Sequence, residues 1–341
     1  MDNQNAVPPP PEVMFKMITG YWVSQTVGAL ARLGICDILV DGPRGADTLA
    51  SEVGADASAL FRVMRAAASV GVLEHHDDDP FSLTPIGETL RSNVPGSMRD
   101  MAIAQTGEGH WAPWGAFTDA VKTGETQAPK ILGKSIFEHY GDHPEERTAF
   151  MGAMQGLSEL VAGELVRLVD FAGVQRVADI GGSGGTLMSA VLDAHADVGG
   201  ILLDLPEVAE GARSVIEARG LGGRCDVVGG DFFASVPGGA DVYILKQILH
   251  DWNDEQCVTI LSNIATGLPS AGRVLVVEMV IPDDRTPTAA QLMDLNMLAV
   301  LPGRERTQSE YATLFRAAGL QLTSVTQTHS PFQIVEATAA S

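Results

Sequence analysis

Cysteine, aromatic residues and positive charge are all scarce in this 341-residue chain. Its three cysteines, Cys36, Cys225 and Cys257, lie far apart with no C-x-x-C spacing. An odd, sparse count of this kind excludes a disulfide framework and fits reduced thiols packed in a core. Lys and Arg number 22 against 43 Asp and Glu, a net charge of −21. That balance argues against a polyanion partner, because nucleic acid requires a cationic footprint. No apolar run approaches the ~18 residues that a membrane span needs, and no charged-then-apolar leader opens the chain. The expectation is an acidic, soluble, cytoplasmic protein. The histidines His110, His139 and His143 lack metal-ligand spacing and are expected at the surface, so no metal is expected.

What is present is a large apolar fraction, 45%, enough for a sizeable core. Residues 1–11 end in four prolines and suggest a disordered or extended lead-in. Residues 12–99 read as an N-terminal domain. Val13, Met14, Met17, Ile18, Trp22, Val23, Val27, Leu30 and Leu33 recur at helical spacing and predict a helix over 12–35. Either it caps the chain's own core or it packs on a second copy. Helices over Thr48–Val53 and Ala57–Ser69, then strands Gly71–Glu74 and Phe81–Leu83, make a winged-helix pattern. Thr84 and Pro85 are placed as N-cap and first residue of another helix. DNA binding is the obvious function for a wing, but this one carries Asp77, Asp78 and Asp79, which would repel phosphate. Residues 100–175 read as a helical linker and the most aromatic stretch of the chain, with Trp111, Trp114, Phe117, Phe137, Tyr140 and Phe150.

Residues 176–341 read as an α/β domain with a doubly wound sheet. Arg176-Val177-Ala178-Asp179-Ile180 runs into Gly181-Gly182-Ser183-Gly184-Gly185 and then a helix. Glycines there let a ligand approach the backbone at a helix N-terminus. The dinucleotide pattern G-x-G-x-x-G fails, because its third glycine position, counted from Gly182, holds Leu187. A turn not built for a pyrophosphate fits S-adenosylmethionine better than a nicotinamide. The next strands end in Asp204, in Gly230-Asp231-Phe232-Phe233, and in Leu249-His250-Asp251-Trp252. Polar groups at successive strand ends mark the ligand edge of an open α/β sheet. A fifth strand ends in Glu278. Residues 289–300 form an apolar helix that includes Met293 and Met297, and Leu320–Gln327 with Phe332–Ala337 suggest a closing antiparallel hairpin.

The ordered run Asp-Ile-Gly-Gly-Ser-Gly-Gly, Leu-Asp-Leu-Pro, Gly-Asp-Phe-Phe and Leu-His-Asp-Trp resembles class I S-adenosylmethionine-dependent O-methyltransferases. The resemblance is to the caffeic acid O-methyltransferase-like family, in its bacterial natural-product branch, and covers the chain from about residue 12 onward. It implies a Rossmann-like C-terminal domain and an intertwined homodimer formed through the winged-helix domain. It implies S-adenosylmethionine as methyl donor and a hydroxyl, phenolic in type, of an aromatic or polyketide-like metabolite as acceptor. His250 is then the general base, with Glu278 placed to hold its other ring nitrogen and Glu305 as the second candidate. For the donor, Gly181 and Gly182 face the methionine part and Asp204 the ribose hydroxyls. Leu205, Asp231 and Phe232 meet the adenine, Lys246 matches a donor-contacting position, and Trp252 covers it. Phe150, Met154, Met293 and Met297 are expected to line the acceptor pocket. Pro302-Gly303 replaces the Gly-Gly found in many relatives, which raises the question of where Glu305 aims. Two rival functions follow: a donor-binding relative that hydroxylates or decarboxylates polyketides instead of methylating, and a winged-helix regulator.

Overall fold

A computed structural model describes residues 8–340. Of the lead-in expected over residues 1–11, residues 1–7 lie outside them. Helix begins at Pro10, inside the stretch expected to be extended, because proline at the first helical positions gives up no needed N–H. The chain divides into two compact units, Met1–Trp111 with Pro144–Ala153 and Ala112–His143 with Met154–Ser341. The helices of residues 100–175 are therefore shared between the units and form no separate body.

In the first unit the single helix expected over 12–35 is two, Pro10–Ile18 and Gly20–Leu33. The break falls at Thr19, whose hydroxyl donates to the Phe15 carbonyl, followed by a poor helix former, Gly20. Helices Ala46–Val53 and Ala57–Ser69 and the antiparallel strands β1 (Leu73–His75) and β2 (Phe81–Leu83) follow. Thr84 caps the next helix through the Gly87 amide, with Pro85 at its start, as the sequence predicts. Leu30, Leu49, Met64, Leu73 and Phe81 form this unit's core. Met14, Met17, Ile18 and Trp22 do not join it and are 53–70% exposed.

His110 and His139 are buried, not at the surface as expected. His139 stacks on His143, ring centroids 3.8 Å apart, and His110 lies beside Phe150. Burial pushes His110 down to about 4, so it sits neutral in its packing.

The second unit carries the doubly wound sheet. Its strands are β3 (Arg176–Ile180), β4 (Gly199–Asp204), β5 (Cys225–Gly229), β6 (Val242–Lys246) and β7 (Arg273–Glu278). A two-residue pair, β8 (Val280–Ile281) and β9 (Arg306–Thr307), follows, then β10 (Leu320–Gln327) and β11 (Gln333–Ala339). The order is β10-β11-β7-β6-β3-β4-β5. The five strands β3 to β7 are parallel, and the closing hairpin runs antiparallel.

Both faces are covered, which explains the unbroken apolar run Val242–Leu245, fully buried throughout. One core lies under helices Pro144–Leu168 and Thr186–Ala194, the other under Asp254–Gly267 and Gln308–Ala317. The chain leaves β3 for β4 and β5 on one side, then returns to place β6 on the other. The crevice at the carboxyl ends of β3 and β6 is thus the topological switch point, where such sheets take ligands. Among the described residues, no single helix is long and apolar enough to cross a membrane, and no three His, Cys, Asp or Glu are grouped to hold a metal.

Candidate active site

Two turns meet at the switch point. After β3, Gly181 takes φ +73° and Ser183 φ +48°, and the turn feeds the helix that starts at Thr186. A Cβ on Gly181 would run into Ile248, and one on Gly182 would lie 2.9 Å from Asp179 Oδ2. The glycines thus let the turn pack closely against Ile248 and Asp179. Asp204 braces the turn from β4. Its Oδ2 accepts from the Ser183 amide at 2.8 Å and its Oδ1 from the Leu205 amide at 2.7 Å. Leu205 itself is 50% exposed. Asp179 is buried, with Oδ2 unpaired, and burial lifts its carboxyl to about 7.

After β6 the backbone turns sharply at Gln247, φ +53°, into a short 3₁₀ turn, Leu249–Asp251. Three carboxylates surround His250. Glu305 Oε1 lies 2.7 Å from its Nδ1, and Asp251 Oδ1 lies 3.3 Å from its Nε2. Glu278 does not hold the ring as expected. Its Oε1 accepts from the backbone amides of Ile248 and His250, each at 3.1 Å, while its Oε2 accepts from the Tyr311 hydroxyl. Glu278 ends β7, hydrogen-bonded neighbour to β6, and this register brings its side chain under the turn instead of against the ring. Burial alone would lower the His250 pKa, but Asp251, Glu305 and Glu278 together outweigh it and hold the ring at about 10. Burial likewise raises Glu305, and lifts Asp251 to about 6.

Glu305 arrives by way of the parallel pair β8 and β9, where Val280 faces Arg306. The Glu305 amide donates to Asp294 at 3.0 Å. The Pro302-Gly303 turn does not misdirect it. Pro302 is exposed, and a Cβ on Gly303 would strike the His250 carbonyl, so glycine is required at that second position.

The other anticipated residues sort as follows. Lys246 ends β6, and its Nζ donates to Ser158 Oγ at 3.0 Å and to the Met154 carbonyl at 3.4 Å. Burial lowers it to about 8. Asp231 is exposed and caps the Phe233 amide, and the Phe232 ring approaches Gly181. Trp252 packs edge-on against Phe233 with centroids 4.8 Å apart, and against Phe232 at 6.2 Å. Met297 is buried and Met293 half-buried on helix Ala290–Val300. Phe150 belongs to the first unit; every other anticipated residue belongs to the second.

Sequence reasoning assigned no role to Asp251, Tyr311 or Arg306. Asp251 could have been suspected from its place beside His250. Tyr311 and Arg306 gave no signal, since their importance comes from contacts across 33 and 57 residues.

A glycine cradle at a helix N-terminus, a strand-end acid bracing it, and a buried His–carboxylate cluster across the crevice define a class I methyltransferase fold and site. An O-methyltransferase domain model matches residues 114–321, and an O-methyltransferase dimerisation domain model matches residues 15–93. The chain is 41% identical to phenazine O-methyltransferase PhzM of Lysobacter antibioticus, over 98% of each sequence. It is 36% identical to the mitomycin biosynthesis 6-O-methyltransferase of Streptomyces lavendulae, over 95% of this chain and 93% of that one. Among solved structures, CalO1, a methyltransferase of calicheamicin biosynthesis with S-adenosylhomocysteine bound, superposes with a TM-score of 0.84. It is 35% identical, with both chains fully covered. This chain belongs to the O-methyltransferase family. Its reaction class is S-adenosylmethionine-dependent O-methylation.

Proposed function

We propose that the protein methylates a phenolic hydroxyl of a flat aromatic secondary metabolite, with His250 as general base, as a homodimer in the cytoplasm. The observation that carries this reading is the buried His250–Glu305 pair at 2.7 Å on the rim of the glycine-lined crevice. Resemblance to a phenazine O-methyltransferase supports the flat aromatic acceptor. The dimerisation domain and the bare apolar face of Met14, Met17, Ile18 and Trp22 support the homodimer.

The residues present fit S-adenosylmethionine. The unpaired, buried Asp179 Oδ2 beside Gly182 suits a ligand that brings an ammonium to the turn. Asp204 keeps acceptor capacity after its two amide bonds, which suits a ribose diol. Leu205 and Phe232 offer apolar surface for the adenine, Asp231 its edge, and Lys246 and Trp252 flank the same crevice. The donor supplies a methyl group on a positively charged sulfur, already activated. What the protein must add is alignment and removal of the acceptor's proton.

A phenol has a pKa of about 10. The carboxylates raise His250 to about the same value, so proton transfer from phenol to ring is nearly balanced. Glu305 fixes the tautomer by accepting from Nδ1, which leaves Nε2 as the acceptor of the proton. Glu278 contributes by holding the Ile248 and His250 amides, and so the angle of the turn. Met154, Met293 and Met297 complete this reading as apolar lining for the acceptor.

The test is incubation with methyl-labelled donor and a monohydroxyphenazine. Label recovered as an aryl methyl ether supports the reading. A substrate that changes mass without taking up label contradicts it.

A further inference from the structure

The ring and its carboxylate come from segments 55 residues apart, and something must set their spacing. Arg306, next to Glu305, is fully buried. Its Nη1 donates to the Leu249 carbonyl at 3.0 Å and its Nη2 to the Trp252 carbonyl at 2.8 Å, on either side of His250. Nη1 also reaches the Arg304 carbonyl at 3.3 Å, which closes the guanidinium back onto its own segment. Its side-chain partner is Asp254, at 3.1 Å from Nε and 2.9 Å from Nη2, at the first turn of helix Asp254–Gly267.

A buried cation answered mainly by backbone carbonyls is costly unless its geometry is well satisfied. Only a planar fork can bond three carbonyls and a carboxylate at once; an ammonium at the same place would meet fewer. Gly303 closes the clamp from the same loop, since any side chain there would strike the His250 carbonyl.

We propose that Arg306 is a positioning residue for the proposed base, strapping the Leu249–Trp252 turn to the Glu305 segment and so fixing the Glu305–Nδ1 contact. This rests on the reading of His250 as base. The charged and titratable groups around the strap and ring are Asp251, Glu305, Glu278, Tyr311, Asp254, Asp294, Cys257 and Arg304, which pairs with Asp254, with Lys246 beyond Asp251.

The experiment is an NMR titration of the His250 ring in the donor-bound protein, together with kcat and donor affinity. The variants are Arg306→Lys, Arg306→Gln and Glu305→Gln. If Arg306 positions the pair, the charge-conserving Arg306→Lys lowers the His250 titration midpoint in the same direction as Glu305→Gln. In that case kcat falls about 10–100-fold, as expected for a misaligned reacting group, while donor affinity stays within about twofold. Loss of a cation's influence alone would raise the midpoint in Arg306→Gln and leave it unmoved in Arg306→Lys, and that pattern overturns the proposal. An unmoved midpoint and kcat in both Arg306 variants overturns it too. If Glu305→Gln itself leaves the midpoint and kcat unchanged, it is the base reading that fails. Should both Arg306 variants fail to fold, Asp254→Asn decides, with Arg304→Gln as the control, because Asp254 holds the half-exposed end of the strap and also pairs with Arg304 at 2.8 Å. A several-fold loss of kcat there supports the proposal, and an unchanged kcat overturns it.

Discussion

Glu305 grips the His250 ring at Nδ1, 2.7 Å away, while Glu278 holds the same residue only by its backbone. The two glutamates that the sequence offered as alternatives for one task have separate tasks. One bonds the ring itself; the other shapes the turn that presents it and raises the ring's proton affinity only through space.

That division predicts different phenotypes. Glu305→Gln removes a carboxylate that raises His250, so the acid limb of kcat/KM moves to lower pH and kcat falls. Glu278→Ala leaves the Ile248 and His250 amides and the Tyr311 hydroxyl without their acceptor. It should cost about 1–3 kcal/mol of stability for each group left unsatisfied, measured by denaturant unfolding.

In the wild type, activity should rise with pH well above neutrality. The carboxylates hold His250 near 10, above its ordinary 6.5, so the ring carries its proton at pH 7 and becomes a base only as that proton leaves. A pre-steady-state rate of methyl transfer that is flat from pH 7 to 10 would contradict this.

Asp179 should trade stability for binding. Burial raises its folded pKa to about 7 from 3.8, so its contribution is most favourable below the unfolded value and is lost as pH rises through about 7. Relative to Asp179→Asn, the wild type should therefore lose about 1.4 kcal/mol per unit of that shift over this window, measured without donor. The variant should be the more stable protein at pH 7 and the weaker donor binder by calorimetry.

The exposed face of the first two helices should be the contact between copies. Met17→Glu with Trp22→Glu places charge where both side chains are more than half exposed, so the monomer keeps its core. Sedimentation should show the wild type at twice the monomer mass and the double variant at the monomer mass.

Much of this was legible in the chain itself. The glycine turn, the strand-end acids and the unbroken apolar strands each follow local rules, and the wing helix Ala57–Ser69 falls where its spacing predicts. The division of labour between Glu278 and Glu305 was not legible. It depends on a two-residue parallel pairing, Val280–Ile281 with Arg306–Thr307, too short to leave a pattern. Nothing local in the sequence marks Arg306, and only the tertiary path of its loop makes it buried. The burial of His110 and His139 was missed for the same reason. Isolated histidines give no periodic signal, and packing decides their exposure.

The most direct test of the whole account is single-turnover methyl transfer by His250→Ala, with donor affinity measured on the same protein. The account predicts a rate lower by about 10²–10⁴-fold, the usual contribution of a general base, with donor affinity within about twofold of wild type. A rate close to wild type at pH 7–8 would contradict it and leave alignment alone to explain the catalysis.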